Sequence, residues 1–125
     1  MSKKYLLGAE PLFLEGKEKG LEIIDGEVII LPSTMKVPHM GWNDLEIKKP
    51  GKLLEGVENG SWVYFVHSYR VKPNSNDIIT AESDYGIKVP AVVEQDNFFG
   101  TQFHPEKSGS VGQIMIKNFL DVCKK

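Results

Sequence analysis

Phe98-Phe99-Gly100-Thr101-Gln102-Phe103-His104-Pro105-Glu106-Lys107-Ser108-Gly109-Ser110 decides the fold, because it passes from a strand pattern straight into a helix start. Aromatic residues over 98–103 predict a short strand. Proline disfavours the α conformation for the residue before it, so His104 is expected to be extended. The hydroxyls of Ser108 and Ser110 offer N-caps. Val111, Ile114, Met115, Phe119 and Val122 then recur at three- and four-residue spacing and predict one helix that closes the chain. Lys117, Asp121, Lys124 and Lys125 fall on or near its opposite side, with cations at the end the helix dipole prefers.

Upstream, the pattern is mostly β. Ser61-Trp62-Val63-Tyr64-Phe65-Val66 is a nearly continuous aromatic and β-branched run, the mark of a strand covered on both faces. Ile78 to Ala81 and Ile87 to Val93 supply further strands, and Val71-Lys72-Pro73-Asn74-Ser75-Asn76-Asp77 reads as a break. Two apolar runs between Leu21 and Leu31 flank Asp25-Gly26, a dipeptide suited to a tight hairpin. Short separations predict an antiparallel meander. Residues 1–20 hold Tyr5-Leu6-Leu7, Leu12-Phe13-Leu14 and a charged, glycine-flanked stretch, an atypical N-terminal segment of a single domain over 1–125.

Composition narrows the function. The chain has 125 residues, 41% hydrophobic and 26% charged, with a formal charge of -2, which is neither a disordered composition nor a basic nucleic-acid footprint. No run approaches the ~20 apolar residues of a bilayer span, so no membrane partner and a cytoplasmic location are expected. One cysteine, Cys123, permits no internal disulfide and no Cys-rich zinc scaffold. The three histidines with Glu106 show none of the compact zinc-ligand spacings, and neither metal nor other cofactor is expected.

Three stretches could carry chemistry. In an extended chain His104 and Glu106 project to one face, and a carboxylate beside an imidazole fixes its tautomer and stabilises its charged form, as a general base requires. A surface histidine beside a solvated glutamate is the plainer reading of those two residues alone. Pro38-His39-Met40-Gly41-Trp42-Asn43 crowds an aromatic, a thioether and an amide around a glycine; it reads as a binding loop or as a loop whose Trp42 caps the core. In Val66-His67-Ser68-Tyr69 a satisfied, partly buried His67 is the commoner explanation.

Taken together and in order, these stretches resemble the C-terminal half of the glutamine amidotransferase subunit of imidazole glycerol phosphate synthase, from about Leu21 to Lys125. Phe-His-Pro-Glu marks the wider class of triad glutamine amidotransferases, and the following Lys-Ser with the other two motifs marks the histidine-pathway member. The resemblance implies an α+β chain, the β-rich part of an α/β, flavodoxin-like class I fold, with one C-terminal helix. It makes His104 the triad base and Glu106 its orienting residue, in service of a cysteine that releases ammonia from glutamine. Ser68 and Tyr69 resemble the strip along bound glutamine. Trp42, Asn43, Tyr64 and Lys107 resemble residues facing the cyclase partner, which is a (β/α)₈ barrel.

This sequence departs from the family at its start. Leu6-Leu7-Gly8-Ala9-Glu10-Pro11-Leu12-Phe13 is similar to the surroundings of a Gly-x-Cys-x-Gly elbow, but no cysteine lies within it. The chain is therefore expected to be a truncated family member, inactive alone, or else a non-catalytic binding or scaffold domain that keeps the interface. Cys123 is expected on the buried stripe of the helix, out of reach of His104. Strand edges at Val63–Val66 and Phe98–Phe103 are expected to lie open and to favour homo-oligomers.

Overall fold

The computed structural model of the chain describes residues 5–8, 14–15, 26–31, 39–67 and 69–124. Ten strands precede one helix among them: β1 Tyr5–Gly8, β2 Leu14–Glu15, β3 Gly26–Ile30, β4 His39–Asp44, β5 Glu46–Ile47, β6 Trp62–His67, β7 Tyr69–Pro73, β8 Ile79–Asp84, β9 Lys88–Gln95, β10 Phe98–Thr101 and α1 Gly109–Cys123. The main sheet has the order β1-β10-β9-β8-β5, a second has β2-β3-β7, and β4 and β6 form a two-stranded ribbon. The chain is α+β, with the expected β8–β9–β10 meander running antiparallel.

Beyond the meander the topology is mixed. β1 runs parallel to β10, with Tyr5 opposite Phe98 and Gly8 opposite Thr101. The edge expected to be open at Phe98–Phe103 is therefore occupied by the N-terminal strand. The open edge was expected from the missing family segment, and a parallel neighbour, which needs a long connection, leaves no local hairpin signal that would have pointed to β1 instead. The proposed hairpin at Asp25-Gly26 falls partly outside the described residues; Gly26 begins β3, whose partners are β2 and β7.

Two other expectations change. His39–Asn43 is not a loop: these residues belong to β4 and pair residue for residue with β6, while Pro38 lies outside the described residues. Glycine inside the stretch masked its alternation, and Gly41 keeps a positive φ of 115° where it crosses Phe65. Val71-Lys72-Pro73 is the end of β7, and the pattern breaks only after it, at a 3-10 turn over Asn76–Ile78.

The core gathers Leu45, Leu53, Val63, Phe65, Val92, Phe99, Phe103 and Met115, every one of them buried. Val63 and Phe65 point into it, whereas Trp62 and Val66 on the other face of β6 are exposed, so this strand is covered on one face and not on both. α1 lays Met115 against the core, with Val111, Phe119 and Val122 partly buried beside it. Cys123 is exposed. The stripe drifts out of register with the core at its last turn, so the expected buried position for Cys123 does not hold. No helix among the described residues is long and apolar enough to cross a membrane.

Candidate active site

His104 follows β10 by three residues, and its backbone is extended at φ -99°, ψ 103°, as the following proline requires. Pro105–Lys107 then forms a 3-10 turn. The turn, and not strand alternation, carries Glu106 back to the imidazole, where its Oε1 lies 3.3 Å from Nδ1 of His104. Both side chains are open to solvent, at 41% and 59% exposure, so a substrate could reach the pair without rearrangement of the core. With Nδ1 engaged by the carboxylate, Nε2 is the nitrogen left to take a proton.

One buried side chain fixes this turn. Ser108 Oγ donates to His104 O at 2.6 Å and accepts Tyr64 N–H at 3.0 Å, while His104 N–H donates to Tyr64 O at 3.0 Å. Both backbone groups of Tyr64, on the free edge of β6, are thereby satisfied by the turn. Ser108 stands at the N-cap of α1 but makes no side-chain cap bond. Its hydroxyl is spent on β6 instead, which a local capping signal could not reveal. At the neighbouring sheet, Gly8 pairs with Thr101. The C-terminal end of β1 thus comes to the end of β10 that leads into His104.

Cys123 cannot join this pair. It ends a 15-residue helix that starts after the turn, roughly 20 Å along the axis at ~1.5 Å per residue. Among the described residues no three His, Cys, Asp or Glu side chains converge as metal ligands.

The other candidate residues fall into two groups. Trp42 and Tyr64 face each other across the ribbon with ring centroids 5.8 Å apart, edge to face. Met40, Trp42, Trp62 and Val66 share that outer face and are all exposed, which makes it a continuous apolar surface. Lys107 is exposed in the turn stapled to the same strand. Asn43 lies on the opposite, inner face of β4; its amide nitrogen approaches His39 Nε2 at 3.3 Å and donates to Asp84 O at 3.1 Å. Ser68 lies outside the described residues. Tyr69 opens β7, half-exposed, and its carbonyl accepts the Nδ1–H of His67 at 2.6 Å.

His67 is the satisfied, buried histidine expected, but its partner His39 was not foreseen. The two are opposite in the β4–β6 register, with His39 Nδ1 at 2.8 Å from His67 Nε2. His39 is stacked between Phe65 at 4.5 Å and Tyr85 at 4.0 Å. Burial, followed by the neighbouring His67, lowers its pKa to about 4, and burial lowers that of His67 as well, against the bond to Tyr69 O. Both rings are neutral at physiological pH. Only the strand register, which needs β4 to be recognised as a strand, would have disclosed the pair.

Known proteins are similar to this chain in sequence and in fold. Residues 9–123 match the family model of class-I glutamine amidotransferases. The chain is 50% identical over 115 residues to the imidazole glycerol phosphate synthase subunit HisH of Caldanaerobacter subterraneus subsp. tengcongensis, covering 92% of this chain and 57% of that protein. It is 48% identical over 120 residues to HisH of Methanocaldococcus jannaschii, covering 93% and 61%. The chain thus spans about three-fifths of the length of these curated relatives. A solved GMP synthase protein from Thermoplasma acidophilum superposes with a TM-score of 0.64 at 21% identity, over 79% of this chain and 49% of that one. At that identity the likeness concerns the fold.

Proposed function

Because the chain belongs to the class-I glutamine amidotransferase family, we propose that it is the base-bearing portion of the glutaminase subunit of imidazole glycerol phosphate synthase, a cytoplasmic supplier of ammonia to a cyclase partner in histidine biosynthesis. The observation that carries this is the His104–Glu106 pair at the end of β10, beside the end of β1. In such a site Glu106 orients His104 through Nδ1, and Nε2 takes the proton of a cysteine thiol. The thiolate adds to the side-chain carbonyl of glutamine, His104 returns the proton to the leaving nitrogen, and the C–N bond breaks to give ammonia and a thioester. Water then hydrolyses the thioester. Tyr69, with Ser68, would line the bound glutamine, and Trp42, Tyr64 and Lys107 would meet the cyclase, with Asn43 behind them.

The 125-residue chain carries no cysteine ahead of His104. By itself it should release no ammonia from glutamine, even with the cyclase and its ligand present, since a base without its nucleophile retains little of a triad's power. Ammonia release above background that disappears in both His104→Ala and Cys123→Ser would overturn this. The exposed apolar ribbon face favours a second reading, a non-catalytic binding domain that retains the interface. Titration of the cyclase against the chain tests the partner common to both readings, and a parent chain that binds no cyclase removes them together.

A further inference from the structure

The contacts through His39 and His67 leave no choice of proton position. A carbonyl oxygen only accepts, so the 2.6 Å contact with Tyr69 O requires the proton of neutral His67 on Nδ1. Its Nε2 is then an acceptor, and the 2.8 Å contact requires an N–H on Nδ1 of His39. His39 Nε2 is in turn an acceptor and takes a hydrogen from Asn43 Nδ2 at 3.3 Å. The orientation of that amide is set independently: its Oδ1 accepts Asp44 N–H at 2.9 Å, and its nitrogen also donates to Asp84 O at 3.1 Å. Every bond points the same way, from Asn43 to Tyr69. Phe65 and Tyr85 clamp the His39 ring, so it cannot swing out of the line.

We propose that His39 and His67 are positioning residues, a directional hydrogen-bond relay through which the Asn43 amide, behind the partner face, fixes the carbonyl of Tyr69 on the glutamine strip. The purpose assigned to Tyr69 rests on the function proposed above; the relay itself operates in the free chain. An ionised carboxylate at position 43 would oppose it, because a carboxylate only accepts. His39 would then carry its proton on Nε2, His67 would have to donate from Nε2, and its Nδ1 lone pair would face the Tyr69 carbonyl. The contact breaks, or a ring takes up an extra proton.

Nitrogen-15 NMR of the imidazoles in the 125-residue chain, without glutamine or partner, reads this directly. The parent should show both rings as neutral Nδ1–H tautomers. Asn43→Asp should convert His39 to the Nε2–H or the doubly protonated form and shift the Tyr69 carbonyl and Arg70 amide resonances. His39→Phe, which keeps the ring stack but removes the donor to His67 Nε2, should shift the same two backbone resonances, whereas His39→Gln, with one donor and one acceptor, should restore them towards the parent. An Nε2–H tautomer in either parent ring, or unmoved Tyr69 and Arg70 resonances in Asn43→Asp and His39→Phe, overturns the relay. Should His39→Phe fail to fold, Asn43→Asp at its half-buried site carries the test alone. Failure to bind the cyclase would reject the function proposed above and leave these spectra unchanged, so the two failures are told apart.

Discussion

Gly112 of α1 lies so close to the carbonyl of Pro105 that a Cβ on it would overlap the oxygen and press on Ser108 Cβ at 3.1 Å. The glycine is needed for contact and not for its own conformation, since it sits inside a regular helix. Through that contact the helix is seated on the turn that presents His104 and Glu106.

Gly112→Ala should therefore lose stability even though alanine is the better helix former, by about 1–3 kcal/mol as overpacking of this kind costs. The change should also move the His104 and Glu106 resonances. Urea denaturation with heteronuclear NMR checks both; a variant as stable as the parent would mean that the turn can withdraw from the helix freely.

Ser108→Ala leaves Tyr64 N–H without its acceptor and His104 O without the hydroxyl donor, although Lys107 N–H still reaches that carbonyl at 3.0 Å. A cost of roughly 2 kcal/mol is expected for a buried donor left unpaired. Amide exchange at Tyr64 should accelerate more than at Phe65, because only the former loses its partner.

Trp42→Ala and Lys107→Ala should leave the melting temperature nearly unchanged, since both side chains are exposed. Cyclase binding should respond very differently: Trp42→Ala by ~2 kcal/mol or more if it is a central anchor, Lys107→Ala by less at a rim, and His104→Ala scarcely at all. Calorimetric titration of the three variants decides it. Binding weakened by His104→Ala alone would reverse this division between docking and chemistry.

Acid should unfold the chain through the histidine pair. His39 has a pKa of about 4 when folded and 6.5 as its ordinary value, so between those limits the unfolded state binds more protons and stability falls as the pH falls. The loss from His39 is on the order of 3 kcal/mol by pH 4, and His67 adds to it in the same direction. His39→Gln, which does not titrate, should flatten the dependence of the urea midpoint between pH 6.5 and 4. Equal slopes in parent and variant would mean that the carboxylates alone govern acid unfolding.

Much of the fold was legible where the signal is local. The spacing of Val111, Met115 and Phe119 is a helix period, and the aromatic run of β6 is a strand whatever surrounds it. What escaped depends on partners distant in sequence. Gly41 interrupts the alternation that would have identified β4, and with β4 unrecognised the register that sets His39 opposite His67 could not be drawn. The apolar run at 62–66 showed a strand but not that its outer face is bare, because a buried neighbour and a docking surface ask for the same side chains. His104 and Glu106 were found as neighbours for a reason that differs from the observed one: both a strand and a 3-10 turn bring these positions together, and composition does not distinguish them.

The pairing of β1 with β10 also orders events in time. β8, β9 and β10 meet through tight local connections and can assemble early, whereas Gly8 finds Thr101 only by closing a loop of roughly ninety residues. Loop-closure entropy grows only logarithmically, so this separation weighs on the rate of assembly more than on final stability. β1, synthesised well before the meander, is thus among the last of these strands to find its place, and until it does the strand leading to His104 offers a bare edge to any other chain nearby.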